Sequence, residues 1–281
     1  MKNTESRYFG DSLLRCLNMN SGLLWTVDAG NTLVKWGVWD EHGTLLQVWR
    51  EPLTRAGHAL PELLAMGRPD RVVVASVSLT RAHWDRILAP HGVGHWLWMG
   101  DWKDWPFEGS YARPEELGLD RKLQMAGAIA KHRGNLLIIA LGTCLTADRL
   151  DLPDQAQAPD QRRHRHRGGL IAPGLAMRFR ALHDYTAALP SLAHHPLPPP
   201  DPWGQSTEAA IRSGAHGGMQ AEIKAWVNTW ADECPHGILI TCGGDATSFD
   251  WTQIRGEGPI FAEPDLALFG LWSLTQNLPL L

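Results

Sequence analysis

With 281 residues, 44% hydrophobic and 20% charged, the chain has room for two ordinary domains, each able to bury a core. Its 26 Lys and Arg against 30 Asp and Glu leave a formal charge of −4, so no global field favours nucleic acid or an anionic membrane. No apolar run reaches the roughly 18 residues that span a bilayer, and Cys16, Cys144, Cys234 and Cys242 form no CxxC pair, which speaks against a zinc site or disulfide framework and for reduced thiols in a cytoplasm.

Residues 1–21 contain acidic residues and no continuous apolar stretch, so they read as an N-terminal extension with little role in the fold and not as a signal peptide. Three strand-like runs follow, LLWTVD (23–28), LVKWGVWD (33–40) and GTLLQVWR (43–50). Turns at Gly30-Asn31 and His42-Gly43 predict that they form an antiparallel meander. A helical stretch near 57–66 is limited at its start by Pro61. RVVVASV (71–77) has the β-branched continuity of a strand buried on both faces. Residues 80–89 read as helix and HWLWM (95–99) as strand. Several of the 14 tryptophans crowd into residues 95–107, where filling a core or an interface is a better reading than ligand stacking.

A helix around 116–133 leads to a second half that repeats the opening, with LLIIALGT (136–143) as a buried strand and LTADRLD (145–151) as its return. Helical patterns at 174–188, 206–231 and 265–277 and a buried strand GILITCGG (237–244) complete it. The polar segment 151–167 reads as a mobile hairpin tip, with its RRHRHR run solvated and not bound to phosphate or metal. Residues 194–204 read as a proline-stiffened connector. The element order predicts an α/β protein of two ribonuclease-H-like domains in the actin/sugar-kinase (ASKHA) architecture, a two-lobed nucleotide clamp with ATP in its cleft. The extension occupies 1–21, the first domain with its linking helix 22–134, and the second domain 135–281.

Asp28-Ala29-Gly30-Asn31-Thr32 closes the first strand. A carboxylate there can hold Mg²⁺ beside the phosphates of ATP. Gly30 would let the backbone turn sharply and approach, so that amides and the Thr32 hydroxyl meet phosphate oxygens, and Lys35 could add positive charge. A plain hairpin turn explains the same residues equally well. In Tyr111-Ala-Arg-Pro-Glu-Glu-Leu-Gly118-Leu119-Asp120-Arg121, Asp120 offers a base for a substrate hydroxyl and Arg121 a fork for a carboxylate. Taken alone, those two residues read better as a surface ion pair at a helix start. Thr143 after Gly142, the run Gly168 to Gly174, Thr186, and the diglycine Gly243-Gly244 are weaker signals, because glycines at strand ends mark turns.

Taken together, DAGNTLVKWG, YARPEELGLDR, LGTCLTAD, GGLIAPGLAM, DYTAALP and TCGGDA stand in the order and spacing of the type III pantothenate kinases, which the chain resembles from about Leu23 to Leu281. The resemblance implies phosphoryl transfer from ATP to the terminal hydroxyl of pantothenate, the first step toward coenzyme A, in a cytoplasmic homodimer with the pantothenate pocket near its interface. It assigns Asp28, Ala29, Gly30, Asn31, Thr32, Leu33, Val34, Lys35 and Thr143 to ATP. Tyr111, Gly118, Leu119, Asp120, Arg121 and Thr186 go to pantothenate, with Asp120 as proton acceptor, and Asp28 reaches Mg²⁺ through the phosphates. One position departs from the pattern. Twenty residues after the GxDR aspartate the family places an aspartate that binds a monovalent cation, usually K⁺, and this chain has Ala140, which cannot be a ligand. Either that site is empty and the K⁺ or NH₄⁺ requirement lapses, or Asp148 or Asp151 substitutes, or catalysis is impaired. The competing functions are a catalytically weak homologue kept for binding or regulation and a same-fold kinase for another small hydroxy acid.

Overall fold

The computed structural model describes residues 22–109, 111–152, 163–193 and 201–276. The expected N-terminal extension and most of the 151–167 tip and 194–204 connector lie outside them. The chain divides into two compact units. The first takes residues up to Asp104, Gly118–Leu123 and the chain from Ala267 onward; the second takes Trp105–Leu117 and Gln124–Leu266.

In the first unit, β1 (Leu24–Ala29), β2 (Leu33–Trp39) and β3 (Leu45–Pro52) form the expected antiparallel meander. The other edge of β1 pairs in parallel with β4 (Arg71–Ser76), whose four central residues are fully buried, as its β-branched run requires. Helix α1 (Leu60–Met66) precedes β4, with Pro61 in its first turn where a missing N–H costs nothing. Helix α2 (Arg81–Leu88) follows, and β5 (Leu97–Trp98) is shorter than HWLWM suggested. The sheet order is β3-β2-β1-β4-β5.

Tryptophans fill this unit's core. Trp36 meets Trp84 edge to face at 5.7 Å, while its Nε1 donates to the buried Glu51 at 2.7 Å. Trp39 donates to the Thr26 hydroxyl at 2.8 Å and lies stacked on Trp272. The indole N–H groups of Trp36 and Trp39 thus have acceptors, as burial favours, while those of the equally buried Trp25 and Trp84 have none among the described residues. Trp96 and Trp98 also pack on this core, as expected of them.

The second unit opens with the two-residue β6 (Phe107–Glu108), which sequence periodicity is too short to reveal. Helix α3 (Leu119–Lys131) begins in the first unit and continues into the second. Then β7 (Leu136–Leu141), buried throughout, pairs with the antiparallel return β8 (Cys144–Asp151). β9 (His164–Pro173) is antiparallel to β8, and α4 (Leu175–Asp184) follows it. Helix α5 (Thr207–Glu233) starts at Ser206, whose hydroxyl caps the Ala209 N–H at 3.2 Å. Its Ile211, Ala215, Met219, Ile223 and Val227 recur every four residues into one core. β10 (Ile238–Cys242) runs parallel to β7, α6 (Trp251–Arg255) follows, and β11 (Ile260–Ala262) runs parallel to β10. The last helix, α7 (Leu266–Thr275), belongs to the first unit from Ala267 on and carries the Trp272 that stacks on Trp39.

The second sheet, β11-β10-β7-β8-β9-β6, repeats the five strands of the first and adds β6 at one edge: β7, β8 and β9 form the meander, and β10 and β11 lie parallel beyond β7. Two mixed sheets of this order make the chain an α/β protein of the expected ribonuclease-H-like kind.

One expectation fails here. The end of the supposed polar tip is strand, because β9 starts at His164. His164 and His166 are buried, while Arg163, Arg165 and Arg167 are exposed, a strict period of two. Polarity concealed the pattern, since buried histidines are uncommon unless a partner waits for them.

Candidate active site

The first candidate element is the β1–β2 hairpin. Asp28 and Lys35 lie directly opposite in register and therefore on one face, both half-buried and both engaged in further interactions. Asn31, Thr32 and Leu33 are exposed at the tip. The tip is braced from three sides: the Gly30 N–H donates to the Leu33 carbonyl at 2.9 Å, the Leu53 N–H to the Thr32 carbonyl at 2.8 Å, and the Ser78 hydroxyl to the Gly30 carbonyl at 2.9 Å. Gly30 is not among the positive-φ glycines, and a Cβ there would meet only the Leu33 carbonyl oxygen at 3.5 Å. The sharp-turn role expected of Gly30 is therefore not needed by the chain. What its missing side chain leaves is open backbone.

Asp120 stands in the first turn of α3, half-exposed, and makes no hydrogen bond or ion pair with the described residues. A Cβ on Gly118 would lie 2.6 Å from its Oδ1, so the glycine keeps space for the carboxylate. Gly118→Ala is expected to turn Asp120 away, lowering kcat by about 10-fold or more while moving Tm little, because the displaced atom ends a flexible side chain. Steady-state rates beside a melting curve check this; an equal loss of both would mean that the glycine is merely structural. Arg121 is only 3% exposed and already engaged, which its position in the motif did not reveal.

In the second unit, Thr143 is exposed on the β7–β8 turn, where the Gly142 N–H donates to the Cys144 carbonyl at 3.0 Å. Two glycines from distant motifs hold this turn. A Cβ on Gly174 would be 2.2 Å from the Gly142 carbonyl oxygen, and one on Gly243, whose φ is +92°, would be 2.1 Å from that of Leu141. Gly142 and Gly244 face open space instead. The motifs LGT, GGLIAPG and TCGG thus meet at one turn, with backbone exposed around it.

Thr186 follows α4, exposed, with its hydroxyl donating to the Leu182 carbonyl at 2.6 Å. Tyr111, partly buried, lies parallel to the His166 imidazole at 5.7 Å. Ala140 is 8% exposed and stands in register between Thr146 of β8 and Cys242 of β10. Asp148 shares its face of the sheet but bonds His166 at 2.8 Å, and Asp151 pairs with Arg149 and Arg167.

A family model described as type III pantothenate kinase matches residues 24–229. The chain belongs to the type III pantothenate kinase family. A relative of that name from Flavobacterium johnsoniae is 32% identical over 263 residues, covering 91% of this chain and 97% of its own. Another, from Phocaeicola vulgatus, is 32% identical over 246 residues, covering 87% and 94%. Two solved structures share the fold at low identity. A Campylobacter jejuni protein described as a Baf family transcriptional activator has a TM-score of 0.54 and 17% identity, with 92% of this chain and 100% of that chain covered. The ethanolamine utilization protein EutJ from Carboxydothermus hydrogenoformans has a TM-score of 0.50 and 12% identity, with 94% of both covered. The two mixed sheets and the family therefore agree on an α/β kinase.

Membership of the pantothenate kinase family does not by itself expose every residue of interest. Ser78, Leu53 and His166 lie in none of the six motifs, and Asp148 closes LGTCLTAD without the motif naming its partner. The one sequence signal for the pair was the period-two alternation of His and Arg, facing an aspartate on the preceding strand.

Proposed function

We propose that this protein phosphorylates pantothenate at its terminal hydroxyl with ATP, yielding 4′-phosphopantothenate at the entry to coenzyme A. The observation that carries the reading is Asp120: a carboxylate without a partner among the described residues, with space held open by Gly118, inside the family's GLDR motif. Asp120 would accept the hydroxyl proton as the oxygen attacks the terminal phosphorus. Arg121, Tyr111 and Thr186 are assigned to holding pantothenate.

The hairpin amides of residues 29–34, Thr32 and Lys35 would take the ATP phosphates, and Thr143 a second part of the nucleotide. Among the described residues no group of three or more His, Cys, Asp and Glu side chains could hold a metal. A single carboxylate such as Asp28 suits Mg²⁺, which usually binds one or two carboxylates and otherwise the substrate's phosphates. Asp28 would hold it. When bound, the ion neutralises charge on the phosphates.

No helix among the described residues is long and apolar enough to cross a membrane, consistent with the cytoplasmic location we assign. A homodimer is supported by the apolar surface that the second unit leaves open, with Ile171 66% and Tyr185 89% exposed. Light scattering on the assay sample checks this, and a monomer at working concentration would refute it.

The deciding experiment incubates purified protein with ATP, Mg²⁺ and pantothenate and measures phosphopantothenate by mass. Absence of product with any nucleoside triphosphate would overturn the reading and favour the weak homologue. The same assay tests the cation. Ala140 has no ligand atom, and Asp148 and Asp151 already have cationic or imidazole partners. Exchanging K⁺ for Na⁺ at equal ionic strength is therefore expected to leave the rate within about 2-fold, since only screening is then shared between the salts. Several-fold specific activation by K⁺ would show that a cation site exists after all.

A further inference from the structure

We propose that the buried Asp148–His166 pair is a positioning device for the Tyr111 ring, an inference that rests on the assignment of Tyr111 to pantothenate. His166 is 1% and Asp148 2% exposed, and Nε2 of the imidazole donates to Asp148 Oδ1 at 2.8 Å. Leu136, Ile138, Ala140, Leu150 and Ile240 form an apolar cluster on their face of the sheet, and Asp148 makes a further interaction besides. The other ring nitrogen, Nδ1, is buried without a hydrogen-bond partner among the described residues.

For packing alone, two apolar side chains of the same volume would serve at least as well, because taking a polar pair out of water is unfavourable. What the hydrogen bond adds is orientation. It fixes the plane of the imidazole, and two rings are set against that plane. Tyr111 is stacked on it at 5.7 Å with 19° between planes, and Phe107 meets it edge-on at 6.3 Å and 68°. These separations are those at which aromatic rings attract with a preferred geometry.

β9 also grips the Tyr111 segment by its backbone. Phe107 and Glu108 pair in parallel with His164 and Arg165, so the chain leaves β9 just three residues before Tyr111 returns to cover His166. Asp148 on β8 therefore sets His166, and His166 sets Tyr111. A substrate-facing ring held by a locked side chain keeps its orientation before the substrate arrives.

The test separates this device from general stability. His166→Ala and Asp148→Ala are expected to raise KM for pantothenate by about 3- to 10-fold, the range that the worth of one aromatic pair converts to. KM for ATP and kcat should stay within about 2-fold of wild type. Asp148→Asn, which can still accept the Nε2 hydrogen, should recover most of the effect. With Tyr111 already changed to Leu, His166→Ala should add nothing further, since both act through one ring. Additive losses, or equal rises in KM for both substrates, would overturn the proposal. If His166→Ala does not fold, His166→Phe keeps the ring volume and loses the hydrogen bond, and the same split in KM is expected of it.

A readout without turnover distinguishes failure of this inference from failure of the pantothenate reading. The chain has three tyrosines, Tyr8, Tyr111 and Tyr185. In 3-fluorotyrosine protein, the ¹⁹F resonance lost in Tyr111→Phe identifies Tyr111. It should shift in Asp148→Ala, while that of the exposed Tyr185 stays in place. A stationary Tyr111 resonance would overturn the proposal whatever the enzyme phosphorylates. Lack of turnover by wild type would overturn only the substrate.

Discussion

Asp120→Asn is expected to lower kcat for pantothenate phosphorylation by about 10²- to 10⁴-fold, the usual effect of removing a general base. The amide keeps the shape of the side chain and cannot receive the hydroxyl proton. Because Asp120 stands in the first turn of α3 without an ion pair among the described residues, its replacement leaves no buried charge unmatched. Stability should therefore change by less than about 1 kcal/mol, allowing for the loss of a carboxylate near a helix N-terminus. ATP affinity, measured by titration calorimetry, should stay near that of wild type, since the nucleotide assignments lie on other segments. A variant that kept more than about half of wild-type turnover would remove Asp120 from the mechanism. One that lost ATP affinity as well would instead make Asp120 part of the nucleotide site.

Gly243→Ala is expected to give the largest loss of stability among single methyl additions at the motif glycines. Its φ of +92° is a conformation that L side chains rarely adopt, and the added Cβ would lie 2.1 Å from the carbonyl oxygen of Leu141, with the backbone carbon and nitrogen of that residue at 2.6 and 2.7 Å. Nothing there is the loose end of a side chain, so the backbone itself must move. Strain and overpacking together are expected to cost about 2–4 kcal/mol. At this chain length that lowers Tm by about 5–15 °C. Leu141 leads directly into the Thr143 turn, so ATP affinity should fall in whatever protein remains folded. Gly244→Ala is the internal control: no atom lies within 4 Å of its Cβ, and its Tm should stay within about 2 °C of wild type. A Gly243→Ala protein as stable as that control would refute the close approach on which the argument stands.

Several features of the fold were legible because their causes are local. The meander followed from tight turns between apolar runs, and β4 from an uninterrupted β-branched stretch. The extents of α2 and α5 followed from hydrophobic periodicity. The elements that escaped, β6, α6 and β11, have two, five and three residues, too few for any period to register. β9 escaped for another reason. Its alternation was present, but it was written in His and Arg, and the burial of His166 is explained by an aspartate on the facing strand and by two rings from residues 107 and 111.

Within the candidate site, residue types were readable and their circumstances were not. Gly30, Gly118, Gly174 and Gly243 look alike in the sequence. In the structure a Cβ on Gly30 would make only ordinary contact with the Leu33 carbonyl, Gly118 makes way for a carboxylate, Gly174 admits a neighbouring backbone, and only Gly243 needs a left-handed φ as well. Asp120 and Arg121 are adjacent in the motif, yet one is half-exposed and the other 3% exposed. By itself the sequence determined the element order, the six motifs and with them the family, all of which depend on neighbours along the chain. The tertiary structure alone decided which glycines are sterically required, that Asp148 is committed to His166, and that the last helix stacks Trp272 on Trp39. Those depend on burial and on contacts between residues far apart in sequence, and no local pattern encodes the distance between two side chains that meet only once the sheets have formed.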